Sequence, residues 1–282
     1  MELGITIAPM RFPVDLVAAG RLAEEIGFDS FWVPEHTHFP VDRRTPWPGG
    51  GEQERQWQYY PNPFVALAGV AGVTTRIKLG TCISLVIQHD PIVQAKEVAS
   101  LDHLSGGRFL FGIGGGWHRE EMANHGTEPR LRWRVLRERI AAMKAIWTTD
   151  EAEYHGQLVD FDPLWSWPKP VQKPHPPILM GGDGPKAIEG LLEYCDGWMP
   201  RPTGFEPALP ERMAEVARRA AELGRGPIPS TIFGAALDPR ELERYEQLGA
   251  ACALFRVAPH NYDLVATTLE NTMKVVREYR GD

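Results

Sequence analysis

The 282-residue chain has little of several features that mark whole classes of protein. Its three cysteines are odd in number and far apart, at Cys82, Cys195 and Cys252. This spacing predicts neither a disulfide scaffold nor a metal site, and it suits a reducing, cytoplasmic location. No apolar stretch approaches the roughly 20 residues of a membrane span. The first residues lack a basic region followed by an apolar run, so a secretory signal is not expected.

The chain also lacks an excess of positive charge. Its 30 lysines and arginines are outnumbered by 37 acidic residues, which leaves a net charge of −7. Without a basic patch, nucleic acid is not an expected partner, and the expected partner is a small molecule. Few residues are lysine, and none lies at the carboxyl end of a predicted strand, which argues against Schiff-base aldolase chemistry.

What the chain does contain is a regular alternation of strand and helix patterns. The predicted strands are 3–8, 30–33, 76–83, 108–113, 178–180, 197–199, 231–235 and 252–257. The predicted helices are 14–26, 63–73, 91–104, 130–147, one from Pro185, 207–223, one after Asp238 and 263–279. Eight such β-then-α units predict one domain, residues 1–282, folded as an α/β (β/α)8 TIM barrel.

Two features refine this expectation of a barrel. The segment 148–177 is dense in Trp and Pro and is interpreted as an insertion before strand five, with Trp165 and Trp167 as packing residues. An open, doubly wound sheet is the alternative fold. It is disfavoured because no Gly-x-Gly-x-x-Gly pattern follows the first strand.

The active site of a (β/α)8 barrel lies at the carboxyl ends of its strands, so the residues there become candidates. His36, directly after strand two, is predicted to be a general acid or base, the alternative being a loop histidine with a structural hydrogen bond. The later strand ends lack further metal ligands, so no metal is expected. The candidates for cofactor contact are Glu35, His36, Cys82, Ile83, Gly115, Gly116, Trp117, Gly181 and Gly182.

For some of these candidates, the local sequence gives a physical reason for the expected role. Gly181 and Gly182 precede a helix that starts at Pro185, and free N–H groups at a helix start bind anions such as phosphate. The alternative is a simple turn. Cys82 is interpreted as a small packed residue rather than a nucleophile.

The aromatic loop 38–60 is expected to line an apolar substrate pocket, or to pack on itself or on a second subunit. Its candidate residues are His38, Phe39, Trp47 and Tyr60, and Trp57 and Tyr59 are further aromatic residues of the loop.

Two long segments of the chain resemble the bacterial luciferase-like monooxygenases. They read HDPIVQAKEVASLDHLSGGRFLFGIGGGW and WPKPVQKPHPPILMGG. The resemblance extends from the first strand to about Pro200. It implies a (β/α)8 barrel with an insertion near strand five, and a cofactor that is either reduced FMN or the deazaflavin coenzyme F-420.

The Val-Pro-Glu-His stretch that ends at His36 is similar to the F-420-dependent branch of that family. The similarity implies that His36 lies against the deazaflavin ring, that a non-prolyl cis peptide joins Cys82 and Ile83, and that the phosphate lies at Gly181 and Gly182. The sugar-phosphate dehydrogenases of this branch carry Glu where this chain has Gly115. That departure argues against sugar dehydrogenation by a His/Glu pair.

The resemblance therefore implies an oxidoreductase, expected as a homodimer, that transfers a hydride between coenzyme F-420 and a small organic substrate. The FMN-using members also carry Gly-Trp at Gly116 and Trp117, so a monooxygenase that uses reduced FMN and O₂ is the first alternative. A protein that binds a flavin or F-420 without catalysis is the second.

Overall fold

The computed structural model describes residues 1–7, 14–48, 50, 58–258 and 264–281. The strands in these ranges are β1 Glu2–Ile7, β2 Ser30–Val33, β3 Lys78–Thr81, β4 Phe109–Ile113, β5 Ala152–His155, β6 Asp160–Leu164, β7 Ile178–Gly181, β8 Gly197–Met199, β9 Thr231–Phe233 and β10 Cys252–Val257. The α-helices in the same ranges are α1 Leu16–Ile26, α2 Pro63–Ala71, α3 Pro91–Leu104, α4 Arg119–Asn124, α5 Arg132–Thr148, α6 Pro185–Tyr194, α7 Leu209–Glu222, α8 Pro239–Gln247 and α9 Val265–Arg280.

Eight of the strands form one parallel sheet in the order β8-β7-β4-β3-β2-β1-β10-β9. The two edge strands of this sheet also meet. The Trp198 N–H of β8 donates to the Pro229 carbonyl over 2.9 Å, and the Phe233 N–H of β9 donates to the Pro200 carbonyl over 2.8 Å. These bonds bring the sheet close to a full ring, so the predicted (β/α)8 TIM barrel is confirmed.

The helices begin where the sequence supplies caps. Asp90 accepts hydrogen bonds from the Ile92 and Val93 N–H groups at the start of α3, as its position before Pro91 predicts. Asp238 likewise accepts from the Arg240 N–H at the start of α8. Because such caps are local, the predicted bounds of α3 agree with the structure.

Two apolar clusters hold the barrel together. The larger one lies between the strands and the surrounding helices, and its fully buried members include Phe31, Phe109 and Phe111. The smaller one is built around Trp32 and Met199. A side chain at Gly80 would lie 2.1 Å from the Trp32 ring, so β3 has a glycine where the indole packs. The smaller cluster also contains Cys82, at the level where the strands end.

The insertion before the fifth barrel strand is a two-stranded antiparallel hairpin, β5 and β6, followed by a Pro-rich return. The Lys169 ammonium group fastens this return to the end of α5 by donating to the Ile146 and Thr149 carbonyls. The interpretation of Trp165 and Trp167 as packing residues is wrong. These side chains are 75% and 57% exposed, because the return runs over the outside of the helical layer.

Several predicted boundaries differ from the structure. Helix α4 was not predicted, because its six residues are too few for an apolar period to stand out. Strand β3 is shorter than predicted, because its ladder ends at Thr81. The predicted ends at Ala8 and Asp263 lie outside the described residues, as does Trp57. Among the helices in the described ranges, none is long and apolar enough to cross a membrane.

Candidate active site

A cavity of about 370 Å³ opens at the carboxyl ends of the barrel strands. Its size falls within the roughly 300–1,000 Å³ of small-molecule sites. The end of β3, the glycine turn after β4, the glycine turn after β7 and the loop after β2 all contribute to its lining. The two glycine turns hold Gly115, Gly116, Gly181 and Gly182, so those predicted positions are brought together with Cys82, Ile83 and Trp117.

The wall at the end of β3 has the predicted backbone. The peptide bond between Cys82 and Ile83 is cis, which confirms that expectation. The Ile83 side chain lies against both glycine turns, since an added Cβ at Gly114 or Gly181 would come within 2.8 or 2.5 Å of it. The glycines on either side therefore leave the space that Ile83 occupies.

Cys82 behaves as a packed residue rather than a nucleophile. Its thiol donates to the Thr6 hydroxyl over 3.4 Å inside the barrel. Burial raises the pKa of this thiol to about 12, so the reactive thiolate is scarce at neutral pH. Cys82 contributes a small apolar surface to the cavity and no nucleophile.

The glycine turn after β4 faces an aromatic side chain that the sequence interpretation missed. A Cβ at Gly115 would lie 2.9 Å from the Trp133 ring of α5. Gly116 has a φ of +63°, which favours glycine, and Trp117 follows it in the cavity wall. Trp133 was missed because nothing in the local sequence relates the start of α5 to the glycine turn after β4. Only the fold brings the first turn of α5 to this end of the barrel.

The glycine turn after β7 leads into the amino terminus of α6, with Gly184 as N-cap and Pro185 as first helical residue. Behind it, the buried Asp183 carboxylate is ion-paired with Arg212 and accepts from the Arg201 N–H over 3.3 Å. The Arg201 guanidinium lies 4.1 Å from the Phe205 ring and also lines the cavity. Free N–H groups, the helix terminus and this cation together suit an anionic group such as phosphate.

His36 lies one aromatic ring away from the cavity. Its imidazole is 12% exposed and packs 4.5 Å from the Phe39 ring, 5.5 Å from the Tyr60 ring and 6.1 Å from the Trp117 ring, centre to centre. Trp117 lies in the cavity wall, while His36 lies behind it. The predicted contact between His36 and a cofactor ring stays a prediction.

Glu121, the partner of His36, comes from the unpredicted helix α4. The Nδ1 atom of His36 is 2.8 Å from Oε2 of Glu121, whose side chain is 1% exposed. The Thr37 N–H donates to the other carboxylate oxygen over 3.1 Å. Gly115 has no side chain to offer, and the next helix supplies the carboxylate that His36 contacts.

The start of α4 explains how Glu121 is placed. Nδ1 of His118, the N-cap residue, accepts a hydrogen bond from the Glu121 N–H over 3.2 Å. Burial lowers the pKa of His118, so its ring is neutral and its Nδ1 can accept. Histidine is not among the usual N-cap residues, so the sequence offered only a weak signal of a helix start, the three-residue spacing from His118 to Glu121.

Glu35 lies behind the cavity wall rather than in it. Its buried carboxylate accepts hydrogen bonds from the Ser84 hydroxyl at 2.9 Å, the Leu85 N–H at 2.6 Å and the His89 ring at 2.9 Å. Burial by itself would raise the pKa of Glu35, but the hydrogen bond and charge of His89 lower it below its usual value. Glu35 thereby holds the segment that directly follows Ile83.

The predicted substrate residues fall into three places. Trp47 lines the cavity beside Pro48, and Phe39 and Tyr60 surround the His36 ring. His38 points to the other side of the loop, where its ring is 2.9 Å from the Thr37 hydroxyl and 2.8 Å from the Asn124 amide. Within the described ranges, no group of three or more His, Cys, Asp or Glu side chains is arranged to hold a metal ion.

Comparison with known proteins shows similarity to members that use either cofactor. An uncharacterized protein of Mycobacterium tuberculosis is 39% identical over 278 residues, which is 96% of each chain. An F-420-dependent glucose-6-phosphate dehydrogenase of Amycolatopsis mediterranei is 30% identical over 204 residues, covering 71% of this chain and 57% of that one. An FMNH₂-dependent dimethylsulfone monooxygenase of Pseudomonas putida is 36% identical over 112 residues, covering 38% and 30%.

A solved structure of a monooxygenase has a similar fold. The crystal structure of the monooxygenase RslO1 from Streptomyces bottropensis superimposes with a TM-score of 0.78 at 19% identity, over 99% of this chain and 100% of that one. The family model of luciferase-like monooxygenases matches residues 9–266. The chain therefore belongs to the luciferase-like monooxygenase family, whose members include F-420- and FMN-dependent oxidoreductases.

Proposed function

We propose that this protein is an oxidoreductase that transfers a hydride between coenzyme F-420 and a small organic substrate. The observation that carries the proposal is the hydrogen bond between His36 and the buried Glu121 beside a glycine-lined cavity. Hydride transfer to or from a C–O group must be matched by the movement of a proton on the oxygen. A histidine held by a carboxylate is suited to donate or accept that proton near neutral pH.

The cavity residues fit a cofactor with a flat ring and a phosphate. The N–H groups of the turn at Gly182 and Gly184, together with Arg201, would hold the phosphate. Ile83 and the glycine backbone at Gly115 offer an uncharged surface for a ring. Bound F-420 would donate or accept the hydride, and the protein would hold it in place and exclude water.

The lining of the cavity bears on the substrate. Among the described residues of its wall, those other than Asp183 and Arg201 are uncharged, and they include Trp47, Trp117 and Trp133. Asp183 pairs with Arg212, and the Arg201 guanidinium, 3.8 Å from the same carboxylate, also faces the cavity. If the cofactor phosphate pairs with Arg201, an apolar or aromatic substrate suits the remaining surface.

An FMN-dependent monooxygenase is the second candidate, and the similarity to the Pseudomonas putida enzyme supports it. The two cofactors share a flat tricyclic ring and a phosphate, so the same cavity features suit either. A binding protein without turnover would use these features as well. The choice among the three therefore depends on binding and turnover measurements.

The decisive experiment titrates the cofactor-free protein with F-420 and with FMN in parallel. Trp47, Trp117 and Trp133 line the cavity, so tryptophan fluorescence should fall as the ring binds. We expect F-420 to bind more tightly than FMN, and F-420 absorbance to change when a panel of alcohols and carbonyl compounds is added. Tighter binding of FMN with oxygen consumption would favour the monooxygenase. Binding of F-420 with no turnover on any of these compounds would favour a binding protein without catalysis.

A further inference from the structure

We infer that Glu121 is a positioning residue that fixes which nitrogen of His36 carries the proton. In a neutral imidazole one nitrogen donates and the other accepts, and the hydrogen bond made by one sets the state of the other. The catalytic consequence rests on the proposed function, but the proton position itself does not. The inference deepens the role of the site by naming Nε2 of His36 as the reacting atom.

The contacts of the Glu121 carboxylate determine which atom is the donor in its hydrogen bond with His36. Oε1 accepts from the Thr37 backbone N–H at 3.1 Å, and Oε2 lies 2.8 Å from Nδ1 of His36. A carboxylate has only acceptors, so the Nδ1 atom must be the donor in this pair. Nδ1–H then leaves Nε2 with its lone pair.

Two further histidines act on Glu121, His118 at the N-cap and His125 at the C-cap of α4, and burial lowers the pKa of both, which favours their neutral forms. His118 is the nearest histidine on the same helix, and its Nδ1 accepts from the Glu121 N–H, which a doubly protonated ring could not do. The carboxylate is therefore left to balance the charge that His36 acquires when it takes up a proton.

The proton transfer is simple in this arrangement. Under the proposed function, Nε2 of His36 would accept the proton that leaves a substrate hydroxyl while the hydride leaves the adjacent carbon for the cofactor, and the ring would become an imidazolium. The Nδ1–H stays on the ring and the Glu121 carboxylate stays ionised, so an ion pair replaces a neutral hydrogen bond. The reverse reaction returns the same proton from Nε2 to the substrate oxygen.

A single substitution reverses the proton position, and the reason is the fixed Thr37 N–H. In Glu121→Gln the side chain keeps one acceptor oxygen and gains an NH₂ group. The backbone N–H of Thr37 cannot turn away, so it takes the amide oxygen and the NH₂ group faces His36. Nδ1 must then become the acceptor, which places the proton on Nε2 and removes the lone pair from the reacting atom.

The test uses the protein labelled with ¹⁵N-histidine and without cofactor, and it records two-bond ¹H–¹⁵N correlations of the His36 ring. Wild-type protein should show a protonated Nδ1 and an unprotonated Nε2, and Glu121→Gln should show the reverse. Glu120→Gln is the matched control, because the neighbouring carboxylate bonds Thr45 at 2.7 Å and lies 3.6 Å from Nδ1 of His118, but does not contact His36. This control should retain the wild-type ring state. In Glu121→Asp the shorter side chain cannot hold both partners, so the two ring states should mix.

A wild-type ring protonated on Nε2 would overturn the inference, and so would an unchanged ring in both Glu121 variants. Turnover gives the second measurement. Glu121→Gln should lower kcat by about 10²–10⁴-fold with the cofactor Kd unchanged, and Glu120→Gln should leave both unchanged. If the ring state reverses as expected but the wild type reduces no F-420, the proposed function is wrong while the assignment of Glu121 stands.

Discussion

Removal of the Glu35 charge tests the buried network behind the cavity wall. Glu35 accepts three hydrogen bonds, and it forms a buried ion pair with His89 across 2.9 Å. In Glu35→Gln the shape is nearly kept, but His89 loses its counter-ion. Two of the three bonded groups belong to Ser84 and Leu85, so the change also loosens the segment after Ile83.

The expected loss is large because both partners are out of water. Breaking one side of a buried ion pair costs about 3–5 kcal/mol, since the remaining charge is left without a partner. The Gln side chain can still accept from the Leu85 N–H, so we expect a loss near 3 kcal/mol in the free energy of unfolding at pH 6. This is a large share of the roughly 5–15 kcal/mol that holds a typical domain folded.

The pH dependence has a definite sign. The pKa of Glu35 is lowered, so its contribution is present above its unfolded pKa and is lost as the pH falls through its folded pKa. Burial alone would lower the pKa of His89, but the Glu35 hydrogen bond raises it, so its contribution is lost as the pH rises through its folded pKa. The pair therefore contributes its full stabilisation of the folded state between about pH 4.5 and 6.5.

Urea denaturation followed by circular dichroism between pH 5 and 9 measures both effects. The difference in free energy of unfolding between the wild type and Glu35→Gln should be largest near pH 6 and should decrease toward pH 9. Glu189→Gln is the control, because it breaks an exposed ion pair with Lys186 on α6 and should cost at most about 1 kcal/mol. A loss below about 1 kcal/mol for Glu35→Gln at pH 6 would refute the reasoning from burial.

Two further predictions address the cofactor and the reaction. His36→Ala should lower turnover by about 10²–10⁴-fold while the cofactor Kd measured by fluorescence stays nearly the same, and unchanged turnover would remove His36 from the mechanism. Gly182→Val should raise the cofactor Kd by about tenfold or more, because a side chain in the turn both blocks the approach of a phosphate and strains a backbone at φ +120°. Gly224→Val, at a positive φ far from the cavity, is the control for strain alone, and an equal rise in Kd there would contradict a phosphate at Gly182.

The barrel could be predicted from the sequence because its signals are local. Strand β2 and helix α3 have the predicted bounds, since an apolar strand and an Asp-Pro helix start are determined by adjacent residues. The rule that barrel sites lie at the carboxyl ends of strands then located Gly115 and Gly182 beside the cavity. The cis peptide before Ile83 followed from the family resemblance, because nothing in the local sequence requires it.

The partners of the site residues were decided by tertiary structure. His36 and Glu121 are 85 positions apart, and no periodicity relates them; they meet because β2 and the start of α4 lie at one end of the barrel. Trp133 likewise reaches the cavity only through the packing of α5. The sequence by itself determined most of the barrel strands and helices and the end of the barrel that carries the site, since these depend on neighbouring residues, but it missed the short helix α4. Which side chains pair, and which of them line the cavity, depends on distances across the closed sheet.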